Sequence, residues 1–237
     1  MISKITDIKS KIERKATLFE TGGFRPQNDS SESWIGKVYL FGKEEEIPKD
    51  KNGNEMISLA QLCLEKLPFV PTILSNSKII TIFISKEFPQ VFDKMGDYWL
   101  IREYKKDALI KIKSLHSIHS HLKPFPLNPK LVNDDCPIWD GGGLDEETED
   151  EILDLENEGV IDDYYDFTEH YYHTKIGGYP SFMQSGIGNG EGFGKGFEYV
   201  FQISSDSKAN FNVVNSGSMM FAKNKETEEW SIYYDFC

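Results

Sequence analysis

Five histidines and a dense block of carboxylates are the groups with which this chain could do chemistry. His116, His119 and His121 form an H-x-x-H-x-H cluster. On a β-strand His119 and His121 would share a face and could meet a metal ion. No cysteine lies beside them, and the nearest acids, Glu103 and Asp107, belong to the preceding strand region. Exposed or edge-strand histidines are expected here, and no metal site. His170 and His173 flank Tyr171 and Tyr172, with Asp166 and Glu169 nearby, a set that could make an acid–base pair in a cleft. Neither Cys136 nor Ser181 has the elbow or triad context of a nucleophile for that pair. No catalytic residue is assigned, and the chain is not expected to be an enzyme.

Two further patterns imitate ligand sites. Asp154, Glu156, Glu158 and Gly159 resemble the start of a calcium loop, but its twelfth position is Tyr165, where a bidentate glutamate is needed. Gly186, Gly188, Gly190, Gly192, Gly194 and Gly196 alternate strictly. A dinucleotide fingerprint would open a helix, whereas a strand pattern follows here, so a hairpin loop is expected. No cofactor is expected.

The carboxylates carry a stronger signal. The net charge is −13, yet 16 Asp and Glu fall between Asp134 and Glu169, and no Lys or Arg occurs between Lys130 and Lys175. The remainder of the chain carries +3. Like charges at this density repel and cost stability, although a charge run can also be a solvated face that keeps a protein soluble. Within the block, residues 144–159 read as a helix with Asp145 as N-cap and Gly159 in the left-handed position beyond its end. Leu144, Thr148, Ile152 and Leu155 make one face, expected to dock on a sheet. Glu156 and Glu158 oppose the helix dipole, at about 0.3–1 kcal/mol each. The helix is more acidic than its own stability favours, which points to a basic partner. Nucleic acid is disfavoured, because the only arginines are Arg14, Arg25 and Arg102 and the field would repel phosphate.

These groups need a scaffold, and the chain supplies mostly strands. Residues 78–85, 98–104, 108–112, 198–203, 219–222 and 230–235 are short, β-branched or aromatic, and bounded by turn residues. Ile5, Ile8, Ile12 and Ala16 recur at helical spacing up to Gly22 and Gly23, which predicts a docking helix. Leu122 to Pro129 is predicted as an extended surface crossing. Two stretches look like copies of one unit, about 34–85 and 174–236, joined by an acidic linker and helix over about 133–169. The interval Gly36 to Gln61 equals that from Gly177 to Gln202, 25 residues in each. The expected fold class is α+β: a mixed or antiparallel sheet built from two similar repeats with a few flanking helices, in a single domain over 1–237. Three cysteines without metal-ligand spacing, no run of 18 apolar residues and no leader pattern predict a cytoplasmic protein.

The segment from His173 through Gly177, Gly178, Tyr179, Pro180 and Ser181 to Gln184, the later EYVFQISSD around Gln202, and the terminal NSGSMMFAK…WSIYYDF resemble the YwqG-like family of bacterial proteins. The first half departs from that pattern, since Gly36 is not followed by a second glycine. The resemblance implies one functional idea: many members are immunity partners in polymorphic-toxin systems. It implies no catalytic residues. The expected function is therefore an antitoxin that binds the basic surface of a cognate toxin domain, with no nucleic-acid or membrane partner. Glu146, Glu147, Glu149, Asp150 and Asp154 are the expected contacts, and Trp139, Tyr164 and Tyr165 the apolar anchors. The alternative is a small-molecule-binding protein or enzyme with a pocket lined by His173, Tyr179 and Gln184.

Overall fold

The computed structural model describes residues 2–91, 93–183 and 192–236. Along the chain run α1 (Ile2–Ile12), β1 (Arg14–Thr21), β2 (Ser33–Ile35), β3 (Leu40–Gly42), β4 (Ile57–Cys63), β5 (Ser77–Ile84) and β6 (Trp99–Lys105). They are followed by β7 (Ile110–Ile112), β8 (Phe125–Asp135), α2 (Glu146–Asn157), β9 (Lys175–Gly177), β10 (Phe197–Ser204), β11 (Ser218–Asn224) and β12 (Trp230–Asp235). Ten strands form one sheet in the order β12-β11-β10-β9-β1-β8-β2-β4-β5-β6, and β3 pairs with β7 apart from it. Every pairing of named strands is antiparallel.

This overturns the expected α+β sheet built from two repeats. The molecule is mostly antiparallel sheet with two α-helices among the described residues, and its central pair, β1 and β8, lies outside both proposed units. The spacing of Ile5, Ile8, Ile12 and Ala16 predicted one helix, but helix gives way to strand after Ile12. Ala16, Thr17, Leu18 and Phe19 are buried in succession, as suits a strand covered on both faces and paired on both edges. The segment predicted to cross the surface, Leu122 to Pro129, instead enters β8, with Pro126 opposite Trp34 and Pro129 opposite Phe19. Proline donates no ladder hydrogen bond, which is why the sequence argued against a central strand. Its carbonyl still serves: Pro126 O accepts from Gly22 N at 2.8 Å.

The sheet curls until its two ends meet through side chains. Lys223 Nζ on β11 lies 2.7 Å from Glu103 Oε2 on β6, and the Trp99 and Phe221 rings are 5.8 Å apart. One core fills the interior, drawn from Leu62, Ile80, Ile82 and Trp99 on one side and Val200, Phe201, Met219 and Ile232 on the other. β4 and β10 each carry a register shift, between Ser58 and Ala60 and between Tyr199 and Phe201. Such bulges bend a strand and raise its twist, which favours closure.

The helices pack on each other outside this core. Asp145 caps α2, accepting from Thr148 N at 2.8 Å, and Gly159 follows its end at φ +67°. Leu144, Ile152 and Leu155 bury against Ile8 and Ile12 of α1 and against Cys136, Ile161 and Tyr164. The apolar face thus meets α1 rather than the sheet. Lys11 holds Glu151 with both carboxylate oxygens, at 2.9 and 2.8 Å.

Candidate functional site

Gln61 and Gln202 are both fully buried and sit on β4 and β10, each third from its end of the sheet. Gln61 Oε1 accepts from Tyr39 N at 3.1 Å and Leu40 N at 3.0 Å, while its Nε2 donates to Glu32 O at 3.0 Å. Gln202 Oε1 accepts from Ser181 N at 3.0 Å and from the Tyr199 hydroxyl at 3.1 Å, and its Nε2 donates to His173 O at 2.9 Å. Gln61 thus ties the start of β3 and the residue before β2 to β4, and Gln202 ties the irregular segments at His173 and Ser181 to β10. Ser33 and Thr174 hydroxyls accept from Cys63 N and Ser204 N in matching places, at 2.9 and 3.0 Å.

Gly36 and Gly177 both have positive φ, +73° and +78°, and neither has room for a side chain. A Cβ on Gly36 would stand 2.5 Å from Lys123 O, and one on Gly177 2.5 Å from the Phe69 ring. At Gly178 it would stand 1.9 Å from Asp135 Oδ2. Pro180 follows the turn but launches no strand, since residues 181–183 are irregular.

The second side holds a polar cluster that the sequence did not announce. Asp135, at the end of β8, and Lys175, at the start of β9, have no exposure and form an ion pair at 2.8 Å. Asp135 also accepts from Tyr171 N at 3.0 Å and Tyr179 N at 2.8 Å. Burial, only partly countered by Asp135, holds the Lys175 ammonium down to about 8. His170 Nδ1 lies 2.7 Å from Cys136 O and therefore carries the ring proton, so Nε2 accepts from the Ser181 hydroxyl at 2.8 Å. Burial and then the Lys175 charge push His170 down to about 4, which keeps it neutral at pH 7.

Serine, neutral histidine and carboxylate are thus gathered, but not as a working triad. Asp135 Oδ1 is 3.8 Å from His170 Nδ1, its other oxygen holds Lys175, and Ser181 Oγ already receives Gln202 Nε2 at 2.8 Å. Ser181 has no solvent exposure. Chemically the cluster ties β8, β9 and β10 together. The sequence signal was thin: Lys175 is the first cation after the long acidic block, and it sits beside apolar Ile176.

The expected partner contacts fall into three groups. Glu146, Glu147, Asp150 and Asp154 are exposed on α2, and Glu149 is half-buried. Tyr165 is half exposed and its hydroxyl oxygen accepts from Trp139 N at 3.2 Å, and Trp139 is half-buried beside it. Tyr164 is not an anchor. It is buried, donates to Pro137 O at 2.8 Å and packs on Trp139 and Phe167, because the chain needs it under α2.

The histidine cluster lies in a loop between β7 and β8, where His116 and His121 are exposed, and not on a strand. No group of three potential ligands that could hold a metal occurs among the described residues. Cys63 and Cys136 are buried free thiols, pushed up to about 12 and about 11 by burial. Gln184, Cys237 and the alternating glycines Gly186, Gly188 and Gly190 lie outside the described residues.

Together these features define a curled antiparallel sheet closed through side chains, with two buried glutamine clamps and an acidic helix on its outside. A comparison with curated proteins finds no match. The chain belongs to the family described as a domain of unknown function, DUF1963, whose profile covers residues 33–227. No helix among the described residues is long and apolar enough to cross a membrane.

Proposed function

We propose that the protein is a cytoplasmic immunity protein of the YwqG-like kind, one that neutralises a cognate toxin domain by stoichiometric binding rather than by catalysis. The observation that carries this reading is the row of exposed carboxylates Glu146, Glu147, Asp150 and Asp154 on α2, a helix whose opposite face is locked in a core with α1. A rigid, one-signed face steers a basic partner and makes its association rate fall with salt. The half-exposed Tyr165 and Leu153 supply apolar contact next to the charges. The ligand-pocket alternative, built on His173, Tyr179 and Gln184, is less favoured: Tyr179 is buried, with the Arg14 guanidinium 4.1 Å above its ring.

The test is a pull-down of the toxin domain encoded beside this gene, repeated with Glu146, Glu147, Glu149, Asp150 and Asp154 changed to Ser. Capture by the native protein and about tenfold slower association of the folded variant at low salt are expected. Unchanged association would reduce the acidic helix to a solvated surface.

A further inference from the structure

Beside the β3–β7 pair lie two adjoining cavities of about 240 and 20 Å³, which share Lys37, Val38, Leu115 and His116 in their walls. The larger is mainly apolar, walled by Val38, Tyr39, Ile112 and Leu115, and it leaves Ile112 61% exposed. The smaller has room for one oxygen-sized group and is walled by Ser58, Ser117 and Ser120 together with His116 and Lys37. Among the described residues, no Asp or Glu lines either cavity. An apolar chamber joined to a small polar end is the shape of a site for a compact amphipathic molecule.

Two of these side chains have polar capacity that the fold leaves unspent. Ser58 sits on β4 where that strand carries one more residue than β5, is only 8% exposed, and its hydroxyl bonds to nothing among the described residues. Its neighbour Ser117 is already engaged, donating to Glu55 O at 3.4 Å and accepting from His119 N at 3.2 Å. A buried hydroxyl without a partner costs stability that an alanine in its place would not. The Lys37 ammonium is fixed over the Trp34 and Tyr39 rings, 4.3 and 4.8 Å from their centroids, and gives one of its three donors to Asn28 Oδ1 at 2.9 Å. It forms no ion pair among the described residues: the oxygens of Glu32, the carboxylate that acts on it, accept from Gln27 N and Asn28 N at 2.6 and 2.8 Å. Lys113 adds a second positive charge, its Nζ tied to Lys43 O and Glu45 O at 2.7 and 2.6 Å. Cationic walls without a carboxylate, in a chain of net charge −13, select for an anion.

We propose that the two cavities together bind a small monocarboxylic acid with a compact apolar body. A carboxylate oxygen accepts from the Ser58 hydroxyl, Lys37 balances the charge, and the body lies against Val38, Ile112 and Leu115. None of these residues belongs to the acidic block, so the proposal stands apart from the immunity reading. The probe is benzoate, with benzyl alcohol as a neutral control of similar shape, titrated into the native protein and followed by amide chemical shifts. Benzoate should shift the Val38, Ser58 and His116 amides saturably, and benzyl alcohol should bind at least about tenfold more weakly. Ser58→Ala removes no bond within the protein, so it should unfold at no lower a temperature than the native chain yet bind benzoate about tenfold more weakly. Lys37→Gln should weaken binding to a similar degree, Lys37→Arg should retain it, and Lys86→Gln, which lines neither cavity, should leave it unchanged. A folded Ser58→Ala protein that binds benzoate as tightly as the native one overturns the proposal. Equal binding of benzoate and benzyl alcohol, or no saturable binding by the native protein, overturns it as well.

Discussion

Around Gln61 the outer face of the sheet is apolar: Trp34, Tyr39, Leu40, Ile79 and Tyr104 pack together under the β3–β7 pair. Around Gln202 the same face holds Asp135, Lys175, His170 and Ser181. The contrast falls on matched positions, because Trp34 stands opposite Gln61 in the ladder and Lys175 stands opposite Gln202. The glutamine fixes the backbone in both places, so the residue facing it is free to be an indole or an ammonium. The ammonium carries a condition the indole does not. Taking it out of water is costly unless a carboxylate goes with it, and Asp135 is that carboxylate.

The largest effect should come from removing that condition. Asp135→Ala leaves a buried ammonium alone and two amides unpaired, and should cost about 3–5 kcal/mol in urea unfolding. Asp135→Asn with Lys175→Met removes both charges and keeps an acceptor oxygen for one of the two amides, Tyr171 N and Tyr179 N, so it should recover part of the loss. A double variant as unstable as the single one would mean that the ion pair is not what separates the two sides.

Gln61→Leu and Gln202→Leu should each cost about 2–3 kcal/mol, since each strands buried donors that the amide had satisfied. A neutral result on one side would break the comparison there. Acidification should be smaller and one-sided. His170 holds its proton less readily in the folded protein, at about 4, than when unfolded, near 6.5. The unfolded state therefore binds more protons between those values, and stability falls as pH drops through them, by about 2 kcal/mol from pH 7 to pH 5. His170→Gln should flatten that slope, and amide exchange should quicken in β9 and β10 before β2 and β4. Smallest of all, His119→Ala and His173→Ala should stay within about 0.5 kcal/mol of the native protein and, on the proposed immunity function, leave protection against the toxin intact. Loss of protection with a folded His173→Ala would reopen the ligand-site alternative.

Some of this was legible in the chain. Caps and charge runs are written locally, so Asp145, Gly159 and the acidic face of α2 could be read directly, and strand alternation placed Phe197 to Ile203. Tyr164 was misread because a tyrosine among acids looks exposed until Pro137 and Phe167 are seen to cover it. β1 and β8 were missed because apolar spacing suggested helix in one and prolines suggested loop in the other. Both signals yielded to burial between neighbouring strands, which no window of sequence contains.

By itself the sequence determined the net charge and its confinement to one block, the strand-forming runs, the ends of α2, and the glycines and glutamines at equal spacing. Only the tertiary structure decided that these runs form one antiparallel sheet around a β1–β8 centre, and that α2 docks on α1. It also decided that Asp135 finds Lys175 across 40 residues of chain. The reason is range: propensity, capping and charge density act within a turn or a strand, whereas pairing order and the partnering of buried charges are set by which distant segments exclude water together.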